Sequence, residues 1–254
     1  MPEGPDPVDW LGAAVDCSAC RYRGRAGTGQ CAPGWACVQD RQSRRIERFF
    51  LLNPDLADDC LTLPYFEARA QAARAATLFR LPPLLDDPDP AVRSVAILRL
   101  PAAHALRRLR DPDRAVRLAV AHRLPPGDLL PLLSDADAYV RLIAVRRIDA
   151  GALPVMLHDP DPEIRCLVAD RIGPSWLVHL LTDPEPLVRR ATALRLPPDK
   201  LHRLAHDPDI RVRHAVAERA PEALARAMLA DPEPLIAETA AERLAARKDD
   251  DEKR

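Results

Sequence analysis

DPDPAVRSVAILRLPAAHALRRLR, residues 87–110, decides the fold, because the chain repeats it. Its opening recurs as DPDRAVR at Asp111, DADAYVR at Asp135, DPDPEIR at Asp159, DPEPLVR at Asp183, DPDIRVR at Asp207 and DPEPLIA at Asp231, always 24 residues apart. One step earlier, LPYFEAR at Leu63 keeps the Pro and the Arg and reads as a degenerate first unit. Self-similarity at a fixed period marks a stacked-repeat architecture, in which a unit cannot bury its apolar face alone and its neighbours bury it.

Positions are numbered 1 to 24 from the first Asp of each unit. Position 3 is acidic (Asp89, Asp113, Asp137, Asp161, Glu185, Asp209, Glu233) and position 4 is often Pro (Pro90, Pro162, Pro186, Pro234). An acidic N-cap followed by Pro starts a helix. Position 15 is again often Pro (Pro101, Pro125, Pro197, Pro221), so the pattern predicts a helix over positions 4–14, about 16 Å long at ~1.5 Å per residue. Its apolar residues at 6, 9, 10 and 14, for example Ile164, Leu167, Val168 and Ile172, form one face. A second apolar pair follows the Pro, as in Leu129 and Leu133, Leu177 and Leu181, and Leu201 and Leu204. The short space left suits a 3₁₀ or one-to-two-turn helix. No alternating runs or hairpin dipeptides appear, so the fold class is all-α: a solenoid of 24-residue repeats, each an α-helix plus a short 3₁₀ or α-helix.

Two positions carry repeated arginines: position 7 (Arg69, Arg93, Arg117, Arg141, Arg165, Arg189, Arg213) and position 13 (Arg99, Arg123, Arg147, Arg171, Arg195, Arg219, Arg243). On a helical wheel position 13 falls inside the apolar arc and position 7 at its edge. A charge within a buried arc must be paired, and the acids at positions 1 and 3 of the same or the next unit are the expected partners. The alternative, an arginine track for phosphates or an acidic partner, is weakened by balance: Leu63–Arg247 holds 27 basic and 25 acidic residues. Phosphate binders carry a larger basic excess. The recurring Asp pairs read as capping and ladder groups rather than acid–base dyads. The histidines fall at differing repeat positions and read as surface or edge residues. Cys166, at position 8, reads as half-buried.

Composition bounds the rest. The 254 residues hold 38 acidic and 37 basic side chains, 27 Pro and only 9 Gly, with aromatics at 4%. Charge therefore gives no pull toward nucleic acid or membrane, and an aromatic-lined substrate pocket is not expected. The only lysines are Lys200, Lys248 and Lys253. The opening MPEGPDPVDW does not read as a signal peptide, and no apolar run approaches the ~18 residues of a spanning helix. The expected location is cytoplasmic, where cysteines stay reduced.

Four of the six cysteines lie in CSACRYRGRAGTGQCAPGWAC, as Cys17, Cys20, Cys31 and Cys37, in the pattern C-x₂-C-x₁₀-C-x₅-C. Four thiolates complete a tetrahedral zinc site or hold an iron–sulfur cluster, and spacing leaves both open. Gly24, Gly27, Gly29 and Gly34 lie in this loop and favour close wrapping around a bulky cluster. Arg21, Arg23 and Arg25 add positive charge. Cys60 stays outside the expected ligand set, as a potential replacement. Residues 39–52 read as an amphipathic helix burying Ile46, Phe49, Phe50 and Leu52, joining this loop to the first repeat. The expected organisation is a cysteine-rich N-terminal cap at 1–62, the repeats at 63–247 and a charged, frayed tail at 248–254.

The 24-residue unit together with the preceding CSAC…CAPGWAC segment resembles the leucine-rich-variant (LRV) repeat family over about residues 10–247, and the DPDPxVRxxA start is similar to HEAT-type repeats. The resemblance implies α- and 3₁₀-helices alternating in a right-handed superhelix without β-sheet, and a [4Fe–4S] cluster with Cys17, Cys20, Cys31 and Cys37 as ligands. It brings no established activity. Members occur in nitrogen-fixing bacteria, which points toward redox or nitrogen metabolism. The expected function is a protein-binding scaffold, not an enzyme, with a redox or sensing role for the cluster. The alternative is a nucleic-acid-binding solenoid with a structural metal cap, and zinc is the alternative metal. Partner identity and oligomeric state are not legible.

Overall fold

The acids at positions 1 and 3 of the repeat do different work. The structure, a computed structural model, describes residues 6–252, with side chains over residues 6–246. Position 3 is the N-cap: Asp89 accepts the N–H of Ala91 at 2.9 Å, Asp161 that of Glu163 at 2.8 Å and Asp209 that of Arg211 at 2.8 Å. Each cap satisfies a donor that a helix start leaves free, for about 1 kcal/mol. The helices that follow are ten residues in most repeats, over positions 4–13, one shorter than expected.

The chain forms two compact units, divided between Pro125 and Pro126. The cysteine-rich segment lies in the first, together with the repeats that follow it. After that segment the first unit contains α1 (Ser43–Leu52), α2 (Phe66–Ala75), α3 (Pro90–Arg99), α4 (Ala102–Ala105) and α5 (Arg114–Arg123). α1 packs on α2, α2 on α3 and α3 on α5. The second contains α6 (Ala138–Arg147), α7 (Pro162–Arg171), α8 (Pro186–Ala193), α9 (Ile210–Ala217), α10 (Glu222–Met228) and α11 (Pro234–Glu252), with α6 on α7, α7 on α8, α8 on α9 and α9 on α11. Between them run 3₁₀ segments such as Ala150–Met156, Pro174–Leu180 and Pro198–Leu204. In two repeats α4 and α10 take that place as α-helices. Among the described residues, strand-like pairing is limited to isolated bridges. The charged tail expected to fray is helical through Glu252; Lys253 and Arg254 lie outside the described residues.

In the first unit the core holds the position-6 residues Val92 and Val116, and in the second Val140, Ile164, Val188, Val212 and Ile236, with positions 10 and 14 buried beside them except for the half-buried Leu244. Position 11 joins them as Ile97, Ala121, Val145, Ala169, Ala193 and Ala217. The hydropathy pattern passes over it because four of these six are Ala, which carries little apolar signal. Position 9 is buried as expected in Val95, Ala119, Ile143, Ala191 and Ala215, whereas Leu167 is half-buried.

The position-7 arginines are the more buried series and pair as expected with position 1 of the next unit. Arg93 donates Nε and Nη2 to the Asp111 carboxylate at 2.9 and 2.7 Å, and Nη1 to the carbonyls of Asp87 and Pro88. Arg69–Asp87, Arg141–Asp159, Arg165–Asp183, Arg189–Asp207 and Arg213–Asp231 repeat the arrangement. The position-1 carboxylate also accepts the N–H two residues on, as Asp87 does from Asp89 at 2.9 Å. The position-13 arginines do not follow expectation. They take backbone carbonyls, not acids: Arg99 reaches Ala73 and Ala76, Arg171 reaches Val145 and Ile148, Arg195 reaches Ala169 and Ile172, and Arg219 reaches Ala193 and Leu196. These are the carbonyls that the preceding helix leaves free at its C-terminus.

Removing one member of a buried pair strands the other charge. Asp183→Ala is expected to cost about 3 kcal/mol in urea unfolding, whereas Asp183→Leu with Arg165→Met costs less than the single change. For Asp111, burial alone would push the carboxyl up, but Arg93, the Asp113 N–H and Arg108 outweigh it and hold the group below its ordinary value. A folded-state pKa lowered in this way gives stability that is complete above the unfolded value, about 4, and lost as pH falls through the folded one. Thermal melts are expected to stay level above about pH 5 and to fall below about pH 4, with a smaller fall in Asp111→Asn.

Candidate metal centre

Asp16 starts the cysteine segment, accepting the Ser18 N–H at 2.8 Å and the Ser18 hydroxyl at 2.6 Å. Cys17 and Cys20 share the turn that follows: the Cys20 N–H donates to the Cys17 carbonyl at 3.4 Å, and the Arg23 N–H to the Cys20 carbonyl at 3.1 Å. A 3₁₀ run, Arg23–Thr28, ends at Gly29, whose φ of 71° lies in the left-handed region. The chain then returns through Cys31. Ala32 and Ala36 exchange two backbone hydrogen bonds at 2.9 Å around Gly34, at φ 75°. That tight turn takes up the five residues between Cys31 and Cys37 and brings the two cysteines back beside each other. Gly29 and Gly34 are needed for these backbone angles. A Cβ at Gly24 or Gly27 would meet nothing within 4 Å, so crowding does not explain those two.

Helix α1 is the floor of this loop, with Ile46, Phe49 and Phe50 buried as expected and Leu52 half-buried. The amphipathic stretch becomes helical only from Ser43. The loop is fastened to the end of α1 by polar groups: Asn53 Nδ2 donates to the carbonyls of Gln30 and Phe49, both at 2.8 Å, and Gln30 Nε2 to that of Leu52 at 3.0 Å. Arg25 pairs with Asp55, and Arg23 donates to the Ser18 carbonyl at 3.3 Å. With Arg21, which donates to the Asp59 carbonyl, the three arginines of the loop brace it.

Cys20, Cys31 and Cys37 are buried, Cys17 is exposed, and none forms a disulfide. Partial desolvation, then the neighbouring Cys37, Cys20 and Asp16, push the Cys17 thiol up. The interaction between Cys31 and Cys37 lowers the Cys31 thiol and, with burial, raises that of Cys37; Cys20 and Cys17 also act on Cys31. Cys17 and Cys37 are thus held toward their neutral thiols. A bound cationic centre favours the thiolate forms that ligate it. By donor chemistry the set fits a thiolate-ligated metal group. Among the described residues, no three His, Cys, Asp or Glu side chains are gathered closely enough to hold a single metal ion.

Cys60 has a different environment. It is fully buried, and its Sγ lies 3.0 Å from the Tyr22 hydroxyl. Tyr22 packs on Phe49 at 5.6 Å, and Arg21 lies 4.6 Å over the Tyr22 ring while donating to the Asp59 carbonyl at 3.0 Å. Burial, then the contact with Cys60, raises the Tyr22 phenol. The pattern of cysteines does not reveal this contact, because its partner is a tyrosine 38 residues away. A cleft of about 580 Å³, lined by Trp10, Tyr22, Tyr65, Asp16 and Cys20 among others, opens beside the segment. Low aromatic content argued against such a cleft, but the average hides that Trp10, Tyr22, Trp35, Phe49, Phe50, Tyr65, Phe66 and Phe79 all lie in the first 80 residues. Cys166 is half-buried, as expected.

Tyr22→Phe removes a hydrogen bond worth about 1 kcal/mol. It is expected to speed native-state alkylation of Cys60, read by peptide mass spectrometry.

Comparison with known proteins bears on the same segment. A family profile described as "LRV protein FeS4 cluster" matches residues 7–59, which contain all four cysteines and stop one residue short of Cys60. A second profile, described as leucine rich repeat variant, matches residues 114–137. A solved structure described as a leucine-rich repeat variant with a novel repetitive protein structural motif is 41% identical, covers 91% of this chain and 99% of its own, and superposes with a TM-score of 0.85. A protein of Rhodobacter capsulatus described as an uncharacterized 27.7 kDa protein in nifB 3'region is 63% identical over 105 residues. That match spans 41% of this chain and 43% of the relative, so the chain spans about two fifths of the length of the curated relative it matches.

Proposed function

Because the chain belongs to the leucine-rich-variant repeat family and carries that family's iron–sulfur segment, we propose that it is a non-catalytic scaffold. Its repeats bind a protein partner, and its N-terminal segment holds a [4Fe–4S] cluster that transfers electrons or senses redox state. The observation that carries this reading is the iron–sulfur family profile over residues 7–59, a stretch that holds Cys17, Cys20, Cys31 and Cys37, three of them buried and none in a disulfide. When bound, a cluster of this kind supplies one-electron chemistry at a potential set by burial and hydrogen bonding.

The surrounding residues suit that task. The turn hydrogen bonds of Cys20 and Arg23 set the first pair, and the Ala32–Ala36 pairing sets the second. Tyr22 keeps Cys60 engaged outside the ligand set. Helix α1 gives the segment a packed base continuous with the repeats through α2. Catalysis lacks support because the repeated acids are committed to caps and to arginine pairs. No described helix is long and apolar enough to cross a membrane, and the reduced cysteines fit a cytoplasmic setting.

Anaerobic purification followed by iron, sulfide and zinc analysis tests this. The expected result is about four iron and four sulfide per chain, with an absorbance band and an EPR signal that change on dithionite reduction. One zinc without sulfide would instead make the segment a structural cap and favour the reading in which the repeats alone carry function, including nucleic-acid binding.

A further inference from the structure

The two arginine series are alike in sequence and differ in what neutralises them. In the second unit the position-7 arginines Arg141, Arg165, Arg189 and Arg213 each meet a carboxylate across the next repeat. The position-13 arginines Arg171, Arg195 and Arg219 meet only backbone carbonyls, and among the described residues no ion pair reaches them or Arg243. All four residues are half-buried, not fully enclosed. Burial and then the neighbouring Arg243 push the Arg219 guanidinium down, with no carboxylate acting against them. Arg243 Nε is buried without a hydrogen-bond partner. One uncompensated guanidinium per repeat therefore stands in a row, and its last two members repel each other.

We propose that this row binds an acidic segment of a partner protein, with carboxylates docking on Arg195, Arg219 and Arg243. The proposal rests on the protein-binding reading above and names the chemistry of the partner. The guanidinium fork suits a carboxylate, which accepts two parallel N–H bonds. Spacing narrows the segment further. Packed helices stand about 8–10 Å apart, and a polyproline II segment presents every third residue on one edge, about 9 Å apart at ~3.1 Å per residue. Acids at every third position of such a segment match one guanidinium per repeat. Nucleic acid is disfavoured because the repeats are nearly charge-balanced and this unit's exposed aromatics are two isolated residues, Tyr139 and Trp176, too few for a stacking platform.

The test is fluorescence anisotropy on the full chain with a labelled peptide of four Glu-Pro-Pro triplets. The controls are the same peptide with Gln for Glu, a peptide with its four Glu adjacent, and an oligothymidylate of equal charge. The expected result is saturable, salt-sensitive binding of the spaced acidic peptide, weaker binding of the adjacent-Glu peptide and none of the Gln peptide. Arg195→Gln with Arg219→Gln should lower affinity by about tenfold or more. The peptide should also protect Arg219 and Arg243 from phenylglyoxal in the unaltered protein, a readout that does not depend on a variant folding. Equal binding of the Gln peptide, an unchanged affinity in the double variant or absence of protection overturns the proposal. If no probe binds, the row serves only as a helix cap and the protein-scaffold reading stands. If the oligothymidylate binds through these arginines in preference to the peptide, both the proposal and that reading fall.

Discussion

The bidentate pair between a position-7 arginine and the position-1 aspartate of the next repeat is the constraint on which the stack depends. Arg189 and Asp207 are both nearly buried, and Asp207 gives its remaining capacity to the N–H of Asp209. Each aspartate thus fixes the start of its own helix and the position of the preceding one. An offset of even one residue would strand a buried charge, at a cost of several kcal/mol. Within the repeats the period runs without insertion from Asp87 to Asp231, as such a linkage demands. Near-neutral charge follows too, since each buried guanidinium brings its own carboxylate.

Helix ends are handled by the second series. Leu100 and Leu124 precede prolines, which disfavour helical geometry at those residues, but α6 and α7 end at the same repeat position before Asp149 and Gly173. Their last carbonyls are taken by arginines one repeat on where the contact lies within the unit, as with Arg171 on Val145 and Ile148. Carbonyls at a helix C-terminus carry partial negative charge, so a guanidinium fits there while keeping most of its formal charge. The two series share a residue type and separate structural bonding from surface potential.

The cysteine segment obeys a different logic. It has few apolar residues of its own and depends on α1 for a floor, on Asn53 and Gln30 for polar fastening, and on two left-handed glycines for its turns. Tyr22 links it to the stretch that leads into the first repeat by holding Cys60. The cysteine segment is thereby packed into the same compact unit as the first repeats.

The sequence by itself determined the repeat, its register, the acidic caps, the position-6, -10 and -14 core and the four cysteines, because each is a local pattern written many times or at short spacing. Helical periodicity and capping act within a few residues, so they are legible without a third dimension. The tertiary structure alone decided that position-13 arginines take carbonyls instead of acids, that alanines at position 11 are core, that Cys31 and Cys37 meet through an Ala32–Ala36 turn, and that Cys60 belongs to Tyr22. Each joins groups whose partner is set by how helices stack or how a loop folds back, and a helical wheel gives a side chain's direction but not what stands opposite it.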